Sequence, residues 1–481
     1  MRGDSGTSPT SIRSAGLMIV LLSILTGCAS LGAEPAAEPG HVVAPPVAVV
    51  VEGRQGLQDE ARSRQAIEQA EAEGRSRAFK AHLARLTALG ETLSSNNSVD
   101  LLIDGPATFD AMFDAIKGAE HRVFVESYIF EDTDIGKKMR THLLAKKAQG
   151  LDVRIIYDGV GALTTSGRFF DSLREGGIEV CEFNPVGVDE GRAAPLDVNH
   201  RDHRKLLLID DKIAFVGGVN ISSVYSRGSF SRDEAASDEG ESGEGAGWRD
   251  THARLSGPVA LELLRGYEDT WHRQACGGPP FDLPERDAGQ AEPTPGEPDD
   301  RLVLAILSQG DGDSGRFYRA LLGAIETARS SIHITMAYFV PNPTMLDALK
   351  AAARRGVDTQ LVLPGKSDSL LVLRAGQARY DDLLDAGVKI FERHDRFLHA
   401  KTAVIDGVWS TVGSSNLDWR SFLHNDEVNV VILGREVGQQ MDTLFAKDRE
   451  AAERVTPEAW SDRGLGRRVM EMVGQVWQYW L

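Results

Sequence analysis

Two histidine and lysine pairs stand at matching places in the chain. His203-Arg-Lys205-Leu-Leu-Leu-Ile-Asp210 has a counterpart in His399-Ala-Lys401-Thr-Ala-Val-Ile-Asp406, each a His-x-Lys with an aspartate five positions after the lysine. Seven residues beyond each aspartate a glycine opens a short run, Gly217-Gly218-Val219-Asn220 in one copy and Gly413-Ser414-Ser415-Asn416 in the other. One copy could arise by chance; two in matching repeats could hardly. The apolar residues after each lysine read as a strand with alternating faces, so His203 shares a face with Lys205, and His399 with Lys401. An imidazole can attack or relay a proton, and an ammonium group beside it supplies positive charge. Asp210 and Asp406 have the opposite parity at a strand end and are expected to organise the turn rather than touch a substrate. Glycine followed shortly by asparagine suits a tight backbone passage with an amide able to reach phosphate oxygens, which makes Asn220 and Asn416 candidate phosphate ligands.

The elements around these motifs are also duplicated. Val123 to Phe130 is echoed by Ile332 to Val340, both apolar strand candidates ending in aromatic residues. Each follows an amphipathic helical stretch, Phe109 to Ala119 or Phe317 to Ala328, and precedes another around Met139 to Ala148 or Met345 to Ala353. A glycine stop and a strand come next, from Gly150 to Tyr157 and from Gly356 to Leu363, then Leu173 to Val180 and Leu383 to Ile390. The same order of strands and helices twice predicts two similar α/β domains, each a sheet covered by helices.

The expected organisation is a signal peptide at 1–27, a flexible tether at 28–56, a helical lead-in at 57–97, a first domain at 98–275, an acidic proline-rich linker at 276–300 and a second domain at 301–481. The lead-in has Phe79, Leu83 and Leu86 on one face, suited to a packing role ahead of the first domain. Ser226 to Gly247, rich in acids, reads as a solvated insertion. At the N-terminus an apolar run from Leu17 to Leu25 is short for a membrane span and ends in Leu25-Thr-Gly-Cys28. That tetrad resembles a bacterial lipobox, in which Cys28 becomes the lipidated first residue. By the rule for such proteins, Ala29 after it directs the chain to the outer membrane of a double-membraned cell, on its periplasmic face.

The chain has 481 residues and a formal charge of -18, so its surface as a whole repels polyanions, and no nucleic-acid partner is expected. Two cysteines besides Cys28 do not make a disulfide framework, and a buried free Cys181 is the expectation, with pairing to Cys276 left open. Trp477, Tyr479 and Trp480 near the C-terminus suit a packed helix or a lipid interface.

These motifs resemble the phospholipase D superfamily and, within it, the bacterial cardiolipin synthases. The resemblance spans about residues 98 to 475. It includes Glu126-Ser-Tyr-Ile-Phe130 before Asp134 and Gly136, Asn199-His-Arg-Asp-His203, Trp248-Arg-Asp250 with Gly257-Pro258, Tyr338-Phe-Val-Pro341 and Gly413 to Glu427. Many of those synthases begin with membrane-spanning helices, and this chain departs from them there. The resemblance implies two tandem phospholipase D-like domains, each a mixed β-sheet flanked by helices, with one active site at their interface. It further implies His203 as nucleophile and His399 as acid and base, though motif order alone separates them. Lys205 and Lys401 would serve the phosphate, and Asp250 and Glu427 would orient the histidines. No metal or cofactor is implied. The expected reaction is phosphatidyl transfer making cardiolipin from phosphatidylglycerol, an anionic glycerophospholipid met at a membrane surface. Hydrolysis to phosphatidic acid is the alternative, with a nuclease or a non-catalytic envelope scaffold behind it.

Overall fold

The repeated pattern folds into two sheets of matching topology. The structure, a computed structural model, describes residues 77–186, 199–228, 247–283, 301–310 and 315–464, with a few shorter pieces before and after. The expected signal peptide and Cys28, most of the tether and linker, the body of the acidic insertion, and Trp477, Tyr479 and Trp480 lie outside the described residues.

Two short strands, β1 (Val51–Gly53) and β2 (Gly56–Leu57), precede helix α1 (Arg77–Ala88). The first repeat contains β3 (Leu93–Ile103), α2 (Asp104–Gly118), β4 (Arg122–Ser127), α3 (Asp134–Ala148), β5 (Asp152–Asp158), α4 (Gly167–Glu175), β6 (Glu179–Phe183), β7 (Lys205–Ile209), β8 (Ile213–Gly217), β9 (Thr251–Ser256) and α5 (Pro258–Arg273). In the second, β10 (Arg301–Ser308), α6 (Gly315–Thr327), β11 (Ser331–Met336), α7 (Pro343–Arg354), β12 (Asp358–Pro364), α8 (Leu370–Gln377), α9 (Tyr380–Asp385), β13 (Lys389–Arg393), β14 (Lys401–Ile405), β15 (Trp409–Gly413), α10 (Trp419–Leu423), β16 (Glu427–Leu433) and α11 (Arg435–Glu450) follow the same plan, with β17 (Glu453–Val455) and α12 (Pro457–Ser461) added.

The first sheet runs β6-β5-β4-β7-β8-β9-β3, with β4, β5 and β6 parallel and the remaining neighbours antiparallel. The second runs β17-β13-β12-β11-β14-β15-β16-β10, parallel across β11, β12 and β13. The sheets are therefore mixed, and parallel crossovers need helices to return the chain, which is why α3 and α7 sit between parallel strands. Both helices stop at the glycines the sequence marks: Gly150 and Gly356 have φ of +92° and +89°, a left-handed conformation that costs other residues more.

The motif strands are buried on both faces. In β7, Leu207 and Ile209 join a core with Phe113, Leu143 and Phe215, while Leu206 and Leu208 join a second core. That second core also holds Val303, Val404, Val412, Val430 and Ile432, so it is shared by the two repeats. The sheets are also joined through β3: its residues from Ser98 on pair with β9, whereas Ser94 and Asn97 pair with β10. Helix α1 docks on the second repeat rather than on the first, with Phe79, Leu83 and Leu86 in a core with Leu304, Phe317 and Leu321, and with Arg85 2.9 Å from Glu326.

The cysteine expectation is corrected. Cys181 in β6 and Cys276 just beyond α5 are disulfide-bonded, with Cα atoms 5.6 Å apart and a sequence separation of 95. The tertiary course of α5 brings its end to β6, a proximity with no trace in local sequence pattern.

Candidate active site

In both repeats the motif strand is antiparallel to the first parallel strand. The start of β7 thus lies at the carboxyl end of β4, and the start of β14 at that of β11. Lys205 and Lys401 are the first residues of these strands, so His203 and His399 fall just before them, on segments that the strand ladder does not fix.

The opposite repeat fixes them instead. The His203 amide donates to the Asp426 carbonyl at 2.9 Å, and Asp202 bridges Asp426. Reciprocally, the His399 amide donates to the Arg249 carbonyl at 2.8 Å, and Leu398 bridges Arg249. Side chains cross in the same way. His203 Nδ1 lies 3.1 Å from Glu427 Oε2, and His399 Nδ1 lies 2.7 Å from Asp250 Oδ2. Each imidazole therefore belongs to one repeat and its carboxylate to the other.

With Nδ1 turned toward a carboxylate, Nε2 is the nitrogen left for chemistry. The imidazoles are nearly enclosed, their side chains 12% and 10% exposed. Lys205 Nζ donates to the His203 carbonyl at 2.5 Å, and Lys401 Nζ to the His399 carbonyl at 2.5 Å. Each lysine charge is also felt by the opposite imidazole, which places the four groups in one electrostatic neighbourhood.

Burial dominates the protonation states, because a charged form loses its water. It pushes the His203 imidazole down to about 4, with Lys205 adding to the effect and Glu427 opposing it. Burial also pushes Lys205 down to about 7 and Lys401 down to about 8, against the attraction of Glu427 for the first and of Asp250 for the second. Burial would raise Glu427, but His203, Lys205 and the Ser414 hydroxyl pull it down to about 2. Asp250 is lowered in the same fashion, chiefly by His399. The site thus holds a neutral His203 over ionised carboxylates, a His399 whose pKa burial and Lys401 lower, and two ammonium groups ready to lose protons. An anion bound between them relieves both lysines. For a reaction in which neutral His203 attacks and protonated His399 gives a proton, the predicted kcat/KM for a phosphodiester peaks above the His203 value of about 4 and declines as His399, itself lowered by burial and by Lys401, loses its proton. It falls further as pH rises through the lysine values, and also as pH drops below the His203 value. A kcat/KM profile unchanged from pH 7 to 9 would contradict this assignment.

The remaining motif residues have distinct places. The Asp210 carboxylate accepts amide hydrogens from Glu120, His121 and Arg122 at 2.7 to 2.8 Å, and Asp406 accepts from Arg329, Ser330 and Ser331 at 2.6 to 3.1 Å. Both aspartates have positive φ, 51° and 55°, at the hairpin turns that follow β7 and β14. Gly217, Gly218 and Gly413 lie under the neighbouring strand: a Cβ would come 2.5 Å from His252 Nδ1 at the first, 2.2 Å from Asp250 Oδ1 at the second, and 2.2 Å from Asn429 Oδ1 at the third. Ser414 stands where the first repeat has Gly218, and its hydroxyl donates to Glu427 Oε2. Asn220 is partly engaged within the protein, its Oδ1 accepting from the Ile129 amide at 3.2 Å and its Nδ2 donating to Tyr225 Oη at 3.3 Å. Asn416 is buried with its Oδ1 unpartnered.

Sequence reasoning missed Tyr225, whose buried hydroxyl lies 3.0 Å from His399 Nδ1. It also missed Asp426, which receives His200 Nε2 at 2.8 Å and Arg273 at 2.6 Å while its backbone holds His203. Neither sits at a spacing shared by both repeats, so the duplication could not reveal them.

A family model described as "Cardiolipin synthase, PLD-like domain" matches residues 112–231 and again 321–449. The chain belongs to the cardiolipin synthase-like branch of the phospholipase D superfamily. Among members of that branch, cardiolipin synthase A of Pseudomonas fluorescens is 32% identical over 387 residues, 79% of this chain and 75% of that protein. Cardiolipin synthase A of Pseudomonas syringae pv. syringae is 30% identical over 416 residues, 85% of this chain and 81% of that one. The crystal structure of phosphatidylserine synthase from Haemophilus influenzae matches with a TM-score of 0.57 and 12% identity, covering 80% of this chain and 95% of that one, a likeness of fold. In this phospholipase D-type protein, as sequence predicted, each repeat is a mixed sheet flanked by helices. Phosphodiester-transfer chemistry typical of the family accompanies the paired domains.

Proposed function

We propose that the chain is a phosphatidyltransferase that makes cardiolipin from two phosphatidylglycerols, or from a related phospholipid pair. The reading is carried by the two imidazoles, each backed by a carboxylate of the opposite repeat, with two lysines in the same neighbourhood. His203, neutral at physiological pH, attacks phosphorus through Nε2 and forms a phosphohistidine. His399 in its protonated form gives a proton to the departing glycerol oxygen, so glycerol leaves and His399 becomes neutral. It then takes the proton of an incoming phosphatidylglycerol hydroxyl, whose oxygen displaces His203. Lys205 and Lys401 stabilise the charge on the non-bridging oxygens, with Asn220 and Asn416 adding donors. Glu427 and Asp250 hold the tautomers and stabilise the imidazolium forms.

The lipidated Cys28 reading places the body at an envelope membrane. The Cys181–Cys276 disulfide supports an oxidising compartment. Among the described residues, no helix is long and apolar enough to cross a membrane.

Purified protein incubated with phosphatidylglycerol vesicles tests the reaction. Cardiolipin with one glycerol per turnover, formed equally well in excess chelator, is the expected outcome. Phosphatidic acid as the main product would reassign the enzyme to hydrolysis, and a divalent-ion requirement would overturn the metal-free scheme.

A further inference from the structure

Among the described residues, six large apolar side chains are exposed: Leu163, Val186, Val224, Leu370, Met470 and Met472. The first four fall on connections at the catalytic ends of the sheets. Leu163 follows β5, Val186 follows β6, Val224 lies between β8 and β9, and Leu370 follows β12. The strand directions put all these connections at the edge from which β7 or β14 starts. Leu163 and Leu370 are counterparts, each beyond the middle parallel strand of its sheet, and they are 62% and 53% exposed.

Two of these tips are linked to the site. Val224 adjoins Tyr225, which meets His399. Leu370 comes two residues after Asp368, which accepts from Tyr338 Oη at 2.6 Å and whose charge acts on Lys401. The Leu163 turn is fastened by Thr165 Oγ1 donating to the Phe130 carbonyl at 2.8 Å. Between the repeats, half-buried Trp248 has its ring 5.3 Å from His399 and 5.4 Å from Phe397.

We infer that Leu163, Val224 and Leu370, backed by Trp248 and Phe397, form a rim that rests in the headgroup region of an anionic phospholipid bilayer and holds the catalytic mouth against it. This rests on the phospholipid-substrate reading above. A substrate phosphate that reaches nearly enclosed imidazoles must leave its acyl chains somewhere other than water, and a bilayer in contact with the mouth provides that. The chain's formal charge of -18 gives no overall attraction to anionic lipid, so apolar insertion has to carry the docking. The tips stand on separate connections of the two repeats. A fluid interface accepts such tips, whereas a stable protein partner needs a broad complementary surface. Aromatic rings with an apolar body suit the same boundary.

The test uses the full-length protein, with Leu163→Trp and Leu370→Trp examined one at a time in phosphatidylglycerol vesicles containing brominated lipid. Each added indole is expected to be quenched, and a new indole unquenched at both positions would overturn the rim. The double variant Leu163→Ser/Leu370→Ser is expected to lose about tenfold or more in turnover of vesicle substrate. With short-chain phosphatidylglycerol below its micelle concentration it should stay within about twofold of the parent, which also shows that it folds. Equal losses on both substrates would contradict docking. Lipid-independent self-association that the double variant abolishes would assign the rim to a second copy of the chain. Should the parent turn over neither substrate, the catalytic reading fails while quenching still reports docking, so the two failures are distinguishable.

Discussion

His203→Ala and His399→Ala are each expected to lower turnover of phosphatidylglycerol by about 10³-fold or more, with far-ultraviolet circular dichroism unchanged. The magnitude follows from the proposed division of labour, in which one imidazole supplies the bond to phosphorus and the other every proton transfer. Each imidazole meets rings at the site, Tyr128 for His203 and Tyr225 and Trp248 for His399, and precedes its motif strand rather than sitting in the sheet, so its loss is expected to spare the fold. A brief exposure to labelled phosphatidylglycerol separates the roles. His203→Ala should trap no acid-labile phosphoenzyme. His399→Ala should still form it when the leaving alcohol is a good one, such as a nitrophenol that departs without a proton. Substantial turnover by either variant would sink the shared site, and label retained in His203→Ala but lost in His399→Ala would exchange the two roles.

Arg204→Leu should cost about 3–5 kcal/mol of unfolding free energy, read as a lower urea midpoint. The guanidinium is fully buried between the repeats. It donates to the Glu427 carbonyl at 3.2 Å, to Glu126 at 3.2 Å, to Thr270 at 2.5 Å and to the Ser308 carbonyl at 2.7 Å, and it lies 3.4 Å from Asp426. Burial opposes its charge, but Asp426, Glu126 and Asp202 outweigh burial and raise its pKa further. Its removal leaves three buried carboxylates that lean on it and takes a donor from two carbonyls. Activity should fall along with stability, because Asp426 holds the His203 backbone. A midpoint within experimental error of the parent would show that the cluster adds nothing to the union of the repeats.

The same contacts explain how far the sequence could be read. His203, Lys205, Asp210 and their counterparts were legible because they recur in runs of eight residues, and β4, β5, β7 and their echoes because their apolar runs repeat. The direction of bracing was not. Glu427 lies 224 residues from His203, and Asp250 lies 149 residues from His399. Only the folded arrangement exchanges the two carboxylates between repeats. Parity arguments placed His203 on the strand with Lys205, yet the strand begins one residue after Arg204, and a bridge to the other repeat takes over there. Helix α1 was visible as an amphipathic face, but a face does not name its partner, and it docked on the later repeat. Cys181 and Cys276 carried no spacing signal for the same reason.

The sharing of β3 has a consequence for how the chain reaches its folded form. Ser94 and Asn97 pair with residues about 200 positions later, and His82 meets Asp406 across 324 positions. A chain emerging from its N-terminus has completed the whole earlier sheet while this edge still lacks its neighbour. Until synthesis delivers β10, the unfinished edge is a template for stray strands and a place where a chaperone would be needed. Truncation after the earlier repeat should therefore yield aggregation rather than a smaller folded protein.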